Sequence, residues 1–336
     1  GRAGAGVNNI PVDAMTRRGI PVFNAPGANA NAVRELVIAA MLMTSRNIAP
    51  AWLFARDLEG DDAQIHKAVE AGKKNFAGFE LPGRTLGVVG MGAIGIRIAN
   101  VAISLGMHVI GYDPGITVKS AWQLDASVKQ AMSIDDLLSR SDFVTFHVPL
   151  VEETKNMINA TRIALMPKNS VLLNFARNGI IDDAAAVAAL DTGHLYAYAC
   201  DFPSNLLKRH PRCLTLPHLG ASTREAEDNC AIMVAEQIKD YLRNGNITNS
   251  VNLPEIQLPR NVGYRLAVVN SNVPNMVGQI STLLAGAGLN IIDMVNKSHE
   301  NIAVTLMDVD VKPSEQTIAG VAAIHGVLSV RCLKSE

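Results

Sequence analysis

The 336-residue sequence carries 30 lysine and arginine residues against 31 aspartate and glutamate residues, a formal net charge of −1. This balance excludes a global field that would attract nucleic acid or an anionic membrane. Hydrophobic residues make up 48% of the chain and aromatic residues only 4%, so aliphatic side chains must fill a large core. The length predicts two or three domains, and the composition favours layers of helices and strands.

The chain opens with "GRAGAGVNNI", which is typical of the middle of a domain, so we expect the natural N-terminus to be absent. Its glycines superficially resemble a nucleotide-binding loop. No predicted strand precedes them, and no acidic residue follows at the right distance, so they do not form a dinucleotide fingerprint. Their backbone N–H groups can still receive an anion.

The clearest signal is the stretch "GRTLGVVGMGAIGIRIANVAISLG". A buried strand is predicted over 86–89, followed by Gly90, Gly92 and Gly95 and then by a helical pattern. A second strand, "MHVIGYD", ends at Asp113. Strand, glycines, helix, strand and terminal acid in this order predict a dinucleotide-binding unit. An acid at Asp113 suits the ribose hydroxyls and repels a 2′-phosphate, so we expect NAD rather than NADP.

Further strands and helices alternate in "SIDDLLSRSDFVTFHVPL", "KNSVLLNFARNGIIDDAAAVAAL", "YAYACDF" and "CLTLPHLG". The alternation predicts an α/β fold with a doubly wound, mostly parallel sheet. Arg177, Asp201 and His218 each fall at or just after the end of a strand, where such sheets bind ligands. Arginine suits a carboxylate or a developing alkoxide, and histidine suits a proton that moves near neutral pH.

A long amphipathic helix is predicted in "STREAEDNCAIMVAEQIKDYLRNGN". Ser222 and Glu225 have the spacing of a capping box, and Asn244 with Gly245 marks the stop. A proline-containing linker follows over 246–260. From Asn261 onward the pattern becomes βαββαβ, which predicts a ferredoxin-like module.

The four cysteines, Cys200, Cys213, Cys230 and Cys332, have no Cys-x-x-Cys spacing. They indicate neither a metal site nor a disulfide framework, and they fit a reducing compartment. The longest apolar run, "LVIAAMLM", is too short to cross a membrane. We therefore predict a cytoplasmic protein without a metal, a nucleic-acid partner or a membrane partner.

Several of these segments resemble the D-2-hydroxyacid dehydrogenases: "GRAGAGVNNI", "VFNAPGANANAVRELV", "GVVGMGAIG", "NFARNGIID" and "LPHLGAST". The tail, with "NSNVPNMV" and "GAGLNI", resembles an ACT domain. The pairing is similar to family members that open L-serine biosynthesis. It implies NAD-dependent oxidation of D-3-phosphoglycerate, a phosphorylated 2-hydroxy acid, to 3-phosphohydroxypyruvate by a homo-oligomer, a dimer or tetramer.

The resemblance also implies a domain organisation. A remnant of a substrate-binding domain covers 1–32 and receives the return helix 222–245. A Rossmann NAD-binding domain covers 33–221, and an ACT regulatory domain covers 261–336. The linker over 246–260 is expected to act as a hinge between open and closed arrangements, around its two prolines.

The resemblance assigns roles to individual positions. Arg177 orients the substrate, and His218 transfers the proton. The positions that match cofactor contacts are Gly90, Gly92, Ala93, Ile94, Gly95, Asp113, Phe175, Ala176, Arg177, Asp201, His218, Gly220 and Ala221. The positions that match substrate contacts are Gly4, Ala5, Gly6, Asn29, Arg177 and His218. The positions that match contacts to serine as a feedback effector are Asn272 and Asn290.

One departure from the family concerns the segment between Asp201 and His218. The family usually has a glutamate there, paired with the histidine, whereas "DFPSNLLKRHPRCLTLPH" contains none. Asn205 lies nearest the expected place; its amide could orient the ring but could not stabilise the imidazolium as a carboxylate does. The alternatives are an acid that reaches His218 from elsewhere in the fold, or a less basic histidine.

Two other functions stay open at this point. One is another D-2-hydroxyacid dehydrogenase, acting on glycerate or lactate. The other is a non-catalytic NAD-sensing protein, to which the missing glutamate gives some weight.

Overall fold

The structure, a computed structural model, describes residues 1–7, 9–260 and 263–334. The chain divides into two compact units, Ala30–Ala226 and the combination of Gly1–Asn29 with Glu227–Glu336. The predicted limits of the tail, Asn261 and Glu336, lie outside the described residues.

The secondary structure follows a βα pattern through the first two thirds of the chain. The helices are α1 (Val12–Arg17), α2 (Ala30–Ser45), α3 (Ile48–Arg56), α4 (Asp62–Gly72), α5 (Ala93–Ser104), α6 (Val118–Ala121), α7 (Ile134–Ser139), α8 (Ala160–Ile163), α9 (Asp183–Asp191), α10 (Arg224–Asn244), α11 (Met276–Gly286) and α12 (Glu315–Ala322). The strands are β1 (Thr85–Val89), β2 (His108–Tyr112), β3 (Lys129–Gln130), β4 (Phe143–Phe146), β5 (Ser170–Asn174), β6 (Leu195–Cys200), β7 (Cys213–Thr215), β8 (Tyr264–Ser271), β9 (Ile291–His299), β10 (Ile302–Val309) and β11 (Val327–Lys334).

The unit Ala30–Ala226 is built on a seven-stranded sheet in the order β3-β2-β1-β4-β5-β6-β7, with every pair parallel. The chain builds outward from β1 in one direction and then returns to continue from β4 in the other. This is the predicted doubly wound α/β fold, and its topological switch point lies between β1 and β4.

Both faces of this sheet are buried because alternate residues of each strand point to opposite sides. Phe146, Leu172 and Tyr198 pack into one apolar cluster. Phe143 and Leu173, from the same strands, pack into the other with helices α2 and α5. Strands covered on both sides read as continuous apolar runs, which is why the sequence pattern located them well.

Several features of this unit differ from the sequence prediction. The helices α3 and α4 and the two-residue strand β3 were not predicted. The strand predicted in "CLTLPHLG" is only Cys213–Thr215, so His218 lies in a loop three residues beyond it. Helix α10 begins one residue later than the predicted box implies, because the Thr223 hydroxyl, not that of Ser222, accepts the Ala226 N–H at 3.1 Å.

The described part of the chain contains no single helix long and apolar enough to cross a membrane; α2 and α3, bent by 67°, pass that test only as a pair. All four cysteines are free thiols. Among the described residues, no group of three or more His, Cys, Asp or Glu side chains is arranged to hold a metal ion.

The second unit contains an antiparallel sheet in the order β11-β8-β10-β9. Its element order is the predicted βαββαβ. Leu266 and Val268 of β8 face α11 and α12, where they pack with Ile280 and Val321. The alternate residues of the same strands line a separate cluster on the opposite face of the sheet.

The segment 246–260, predicted as a linker, contributes side chains to that second cluster. Four of its side chains are buried against the sheet residues Val269 and Leu306, namely Ile247, Leu253, Ile256 and Leu258. A backbone bridge joins the two isoleucines. The hinge expected there stays a prediction, and opening it would expose this apolar surface to water.

The end of α10 is tied to the same sheet by arginines. Asn244 is the last helical residue, and Gly245 follows at a φ of +76°, as the predicted stop requires. The carbonyl of Asn244 accepts a 2.9 Å hydrogen bond from Arg265, and that of Leu242 accepts one of 2.8 Å from Arg331. These cations satisfy carbonyls that the helix leaves without partners, and they sit favourably at its negative end.

Candidate active site

The sheet brings three of the predicted site residues to one edge. Arg177, Asp201 and His218 follow the carboxyl ends of β5, β6 and β7, which are neighbours in the sheet. The last residues of β5 and β6, Asn174 and Cys200, are in register. In parallel sheets this edge is where ligands bind, and the glycine loop after β1 lies along it too.

The three glycines of the loop after β1 have different structural roles. Gly90 has a φ of +93°, and a Cβ there would lie 2.6 Å from the His147 carbonyl oxygen. A Cβ on Gly95 would overlap the Gly90 carbonyl, whereas one on Gly92 would meet nothing within 4 Å. Two glycines therefore permit close packing, and the third leaves open space at the start of α5. That space fits a pyrophosphate at a helix N-terminus, above Ala93 and Ile94 of the first turn.

Asp113 lies directly after β2 and supports the glycine loop. Its Oδ2 accepts a 2.8 Å hydrogen bond from the Met91 N–H, and its Oδ1 accepts one of 2.8 Å from the Gly115 N–H. Each carboxylate oxygen has a further lone pair available. The carboxylate can therefore accept from ribose hydroxyls while it continues to hold the loop.

The loop after β5 is shaped by Asn174, a residue that sequence reasoning missed. This side chain is 2% exposed; its Oδ1 accepts the Ala176 N–H at 3.2 Å, and its Nδ2 donates to the Arg177 carbonyl at 2.9 Å. The available signal was an asparagine at a strand end, where its side chain readily bonds the next turn of backbone.

Within this loop, only one predicted residue presents its side chain to solvent. The side chains of Phe175 and Ala176 are buried, so any cofactor contact they make must come from the backbone. Arg177 is exposed, and its Nη1 donates to the Ala176 carbonyl at 2.7 Å. Because a guanidinium has five N–H donors, most of the fork remains available to a carboxylate.

Asp201 is buried, at 1% exposure, and its hydrogen bonds go to the loop after β7. Its Oδ1 accepts the Leu219 N–H at 2.8 Å, its Oδ2 accepts the Gly220 N–H at 2.7 Å, and its carbonyl accepts the His218 N–H at 3.1 Å. The resemblance placed this acid among the cofactor contacts. In the structure its carboxylate fixes the backbone that carries His218, Gly220 and the exposed Ala221.

His218 is exposed and has a φ of +59°, a left-handed conformation that is uncommon outside glycine. Its ring lies edge-on to Phe202, with 5.2 Å between the ring centroids and 63° between the planes. Across residues 1–7, 9–260 and 263–334, no carboxylate or amide is hydrogen-bonded to this ring. Asn205, the expected substitute for the glutamate, is exposed and makes no such bond.

A second histidine, His147, follows β4 at the switch point and was also missed. Its Nε2 lies 2.9 Å from the Thr145 hydroxyl, and its solvent-inaccessible Nδ1 has no hydrogen-bond partner among the described residues. Burial lowers the pKa of His147 to about 3, so the ring is neutral at physiological pH. The signal was a histidine at the end of the apolar strand in "FVTFHVPL".

The remaining substrate candidates belong to the other unit. The Gly4 N–H donates to the Arg2 carbonyl at 2.9 Å, so it is already used within the chain. The N–H groups of Ala5 and Gly6 donate to no residue that the structure describes, and they remain available to an anion. Asn29 is half-buried at the end of this unit's first segment.

The two asparagines of the tail are not brought together within one chain. Asn272 donates from Nδ2 to the Glu300 carbonyl at 2.9 Å and lines a cavity of about 150 Å³. The Asn290 N–H donates to Asp310 at 3.1 Å. The two asparagines flank opposite ends of α11, whose 11 residues span roughly 16 Å. Convergence of both amides on one ligand would require the tails of two chains.

The sequence of residues 38–220 matches a family described as the NAD binding domain of D-isomer specific 2-hydroxyacid dehydrogenases. The match covers more than half of the chain and spans the glycine loop, Asp113, Arg177, Asp201 and His218. The chain belongs to the D-isomer specific 2-hydroxyacid dehydrogenase family, and the unit Ala30–Ala226 contains its NAD-binding domain.

Curated relatives with high similarity are named D-3-phosphoglycerate dehydrogenase. The one from Methanocaldococcus jannaschii is 39% identical over 305 residues, covering 88% of this chain and 54% of the relative. Those from Escherichia coli K12 and Haemophilus influenzae are 34% and 32% identical, each covering 98% of this chain and 79% of the relative. The chain thus spans about half the length of the first relative and about four fifths of the other two.

Solved structures support the same fold. The apo form of D-mandelate dehydrogenase from Rhodotorula graminis aligns with a TM-score of 0.66 at 26% identity, over 77% of this chain and 75% of that one. A D-2-hydroxyisocaproate dehydrogenase aligns with a TM-score of 0.65 at 26% identity, over 74% and 77% of the two chains.

Proposed function

We propose that this protein is an NAD-dependent dehydrogenase that oxidises D-3-phosphoglycerate to 3-phosphohydroxypyruvate. The observation that carries the proposal is the placement of Arg177 and His218 after β5 and β7, the parallel strands on either side of β6, at the sheet edge where the glycine loop and Asp113 lie. The names of the relatives support the choice of substrate, because this family also contains dehydrogenases of other 2-hydroxy acids.

The residues at this edge fit NAD. The open space at Gly92 would receive the pyrophosphate, and Asp113 would accept hydrogen bonds from the adenosine ribose. The backbone of 175–177 and of 220–221 would line the remainder of the cofactor. When bound, the nicotinamide accepts the hydride that leaves C2 of the hydroxy acid.

The protein supplies orientation and one proton transfer. Arg177 binds the substrate carboxylate with its guanidinium fork and polarises the C2 oxygen as it becomes a carbonyl. A ring nitrogen of His218 takes the proton of the C2 hydroxyl, and in the reverse direction it returns that proton to the ketone oxygen. The resemblance further proposes Ala5, Gly6 and Asn29 as substrate contacts; the N–H groups of Ala5 and Gly6 donate to no residue that the structure describes and could receive an anion.

The proposal extends to partners and location. L-serine is the proposed effector of the tail, and the cavity beside Asn272 supports it. Since Asn272 and Asn290 flank opposite ends of α11, a site that uses both asparagines would need a second chain, which supports the proposed homo-oligomer, a dimer or tetramer. A cytoplasmic location is the remaining expectation, in keeping with the four free cysteines.

A substrate panel tests the proposed function. NADH consumption is measured with 3-phosphohydroxypyruvate, hydroxypyruvate and pyruvate, and NADH binding is measured separately by fluorescence. We expect the highest kcat/KM with 3-phosphohydroxypyruvate. A preference for hydroxypyruvate or pyruvate would identify a glycerate- or lactate-type enzyme instead. NADH binding without turnover of any of the three would support an NAD-sensing protein.

A further inference from the structure

We propose that Phe202 is a positioning residue that orients the His218 ring, the task that a carboxylate partner would otherwise perform. The inference rests on the proposed function, in which His218 moves the proton. It arises from a specific pairing of contacts: the dipeptide Asp201-Phe202 contacts His218 twice, once through the backbone and once through the ring.

The backbone of His218 is fixed by the first residue of this dipeptide. A φ of +59° is unfavourable for a residue with a side chain, so surrounding contacts must hold it. The His218 N–H donates to the Asp201 carbonyl, and the next two N–H groups donate to the Asp201 carboxylate. These bonds determine where the Cα lies, but they leave the side-chain torsions of an exposed histidine undetermined.

The ring is fixed by the second residue. A centroid distance of 5.2 Å and an angle of 63° lie within the edge-to-face range that aromatic pairs prefer. Phe202 is half-buried, and its carbonyl accepts a 3.5 Å contact from the Cys200 thiol at the end of β6. The thiol contact helps fix the Phe202 backbone, and the half-buried Phe202 ring has less freedom than the exposed His218 ring, whose orientations it therefore limits.

An aromatic partner differs chemically from a carboxylate. It restricts the ring plane without occupying either ring nitrogen, so both nitrogens of His218 stay available for proton exchange. It adds no full charge beside the ring. Edge-to-face pairs contribute an amount that corresponds to a roughly two- to twelve-fold change in a rate or equilibrium.

The test compares Phe202→Leu, which removes the ring, with Phe202→Tyr, which keeps it. The measured quantities are kcat, KM, NADH affinity and the solvent deuterium isotope effect on kcat, with 3-phosphohydroxypyruvate and NADH. We expect Phe202→Leu to lower kcat roughly two- to twelve-fold and to raise the solvent isotope effect, because proton transfer becomes slower. NADH affinity should not change, and Phe202→Tyr should restore both values.

The matched control is Phe54→Leu. Phe54 is half-buried and pairs with Phe76 at the same centroid distance of 5.2 Å, but it lies on α3 away from the strand ends that carry the site. This control should leave kcat and the isotope effect unchanged. A Phe202→Leu protein with unchanged kcat and isotope effect would overturn the proposal. The proposal would also be overturned if the activity of Phe202→Leu fell only in proportion to its folded fraction while the isotope effect stayed unchanged.

Failure of the proposed function is distinguishable from failure of this inference. If the unmodified protein turns over no substrate, the ring contact is read directly from the NMR resonances of the His218 ring protons. Removal of the neighbouring aromatic ring in Phe202→Leu should shift these resonances, since the ring current is lost. Unshifted resonances would overturn the inference whatever the reaction.

Discussion

The Oδ2 of Asp201 accepts a 2.7 Å hydrogen bond from the N–H of Gly220. An acid at the end of β6 thereby determines the course of the loop that follows β7. A Cβ on Gly220 would lie 3.3 Å from the same oxygen, so the absence of a side chain permits the close approach. The position of His218 follows from this contact, because the histidine is two residues away in the same loop.

Asp201→Asn tests this relationship. The amide can accept from only one of the two backbone N–H groups, and its own NH₂ would face the other. We expect a loss of about 1.5–3 kcal/mol in the free energy of unfolding. We also expect a fall in kcat of roughly ten- to a hundred-fold as His218 moves. Asp191→Asn, at a carboxylate that is 67% exposed, is the control and should change stability by less than about 0.5 kcal/mol. Unchanged kcat in Asp201→Asn would show that the loop does not depend on the carboxylate.

The parts of the fold that the sequence predicted are those with local signals. Strands buried on both faces give continuous apolar runs, and the glycine loop needs its glycines at fixed spacing between β1 and α5. The terminal acid Asp113 completes a pattern contained within about thirty residues. For the same reason, the three strand-end residues could be assigned to one edge before any contact was known.

The parts that the sequence did not predict depend on contacts between distant segments. The hydrogen bonds of Asp201 to residues 219–220 arise because β6 and β7 are neighbours. The segment 246–260 looked like a linker because its prolines and irregularly spaced apolar residues have no period, yet Ile247 and Ile256 are buried. Nor does any local pattern predict that Phe202 meets the ring of His218.

Asp113 is expected to set the cofactor preference by its charge. Asp113→Asn keeps an acceptor for the Met91 N–H but removes the charge, whereas Asp113→Ala removes both. Fluorescence titrations with NADH and NADPH should show a preference for NADH that shrinks roughly tenfold in both variants, about 1.4 kcal/mol. Only Asp113→Ala should also weaken NADH binding through the loosened glycine loop. Equal affinity of the unmodified protein for the two cofactors would refute this role.

The buried His147 is expected to make the protein sensitive to acid. Its pKa is about 3 in the folded protein and about 6.5 when unfolded. Between these values the unfolded state binds the proton and the folded state does not, so stability is lost as the pH falls from about 6.5 toward 3. The slope from this residue is at most about 1.4 kcal/mol per pH unit. Urea unfolding is measured at pH 7, 6 and 5. The free energy of unfolding should fall less steeply with decreasing pH in His147→Gln than in the unmodified protein, whereas the control His66→Gln, at an exposed histidine, should match the unmodified protein. If the free energy of unfolding had the same slope against pH in all three proteins, a contribution from His147 would be ruled out.

Arg265 and Asp308 are expected to hold the tail, the segment 246–260 and the end of α10 together. Arg265 is fully buried and bonds both oxygens of Asp308, at 2.6 and 2.7 Å, as well as the Leu258 and Asn244 carbonyls. Arg265→Met should cost about 3–5 kcal/mol, because it leaves a buried carboxylate unpaired. The double variant with Asp308→Leu should recover much of that loss. Hydrogen exchange at Ile247 and Ile256 should be slow in the unmodified protein and faster in Arg265→Met. An Arg265→Met protein that is as stable as the unmodified protein, with slow exchange at Ile247 and Ile256, would contradict this role of Arg265.

The central claim is that His218 transfers a proton to and from a 2-hydroxy acid at the carboxyl edge of the parallel sheet. The most direct measurement compares the unmodified protein with His218→Ala in an NADH-linked assay with 3-phosphohydroxypyruvate, with NADH binding followed separately. Removal of a general acid–base group should lower kcat by roughly 10²- to 10⁴-fold while NADH affinity stays within about twofold. A His218→Ala protein that binds NADH normally and turns over 3-phosphohydroxypyruvate at the unmodified rate would contradict the account.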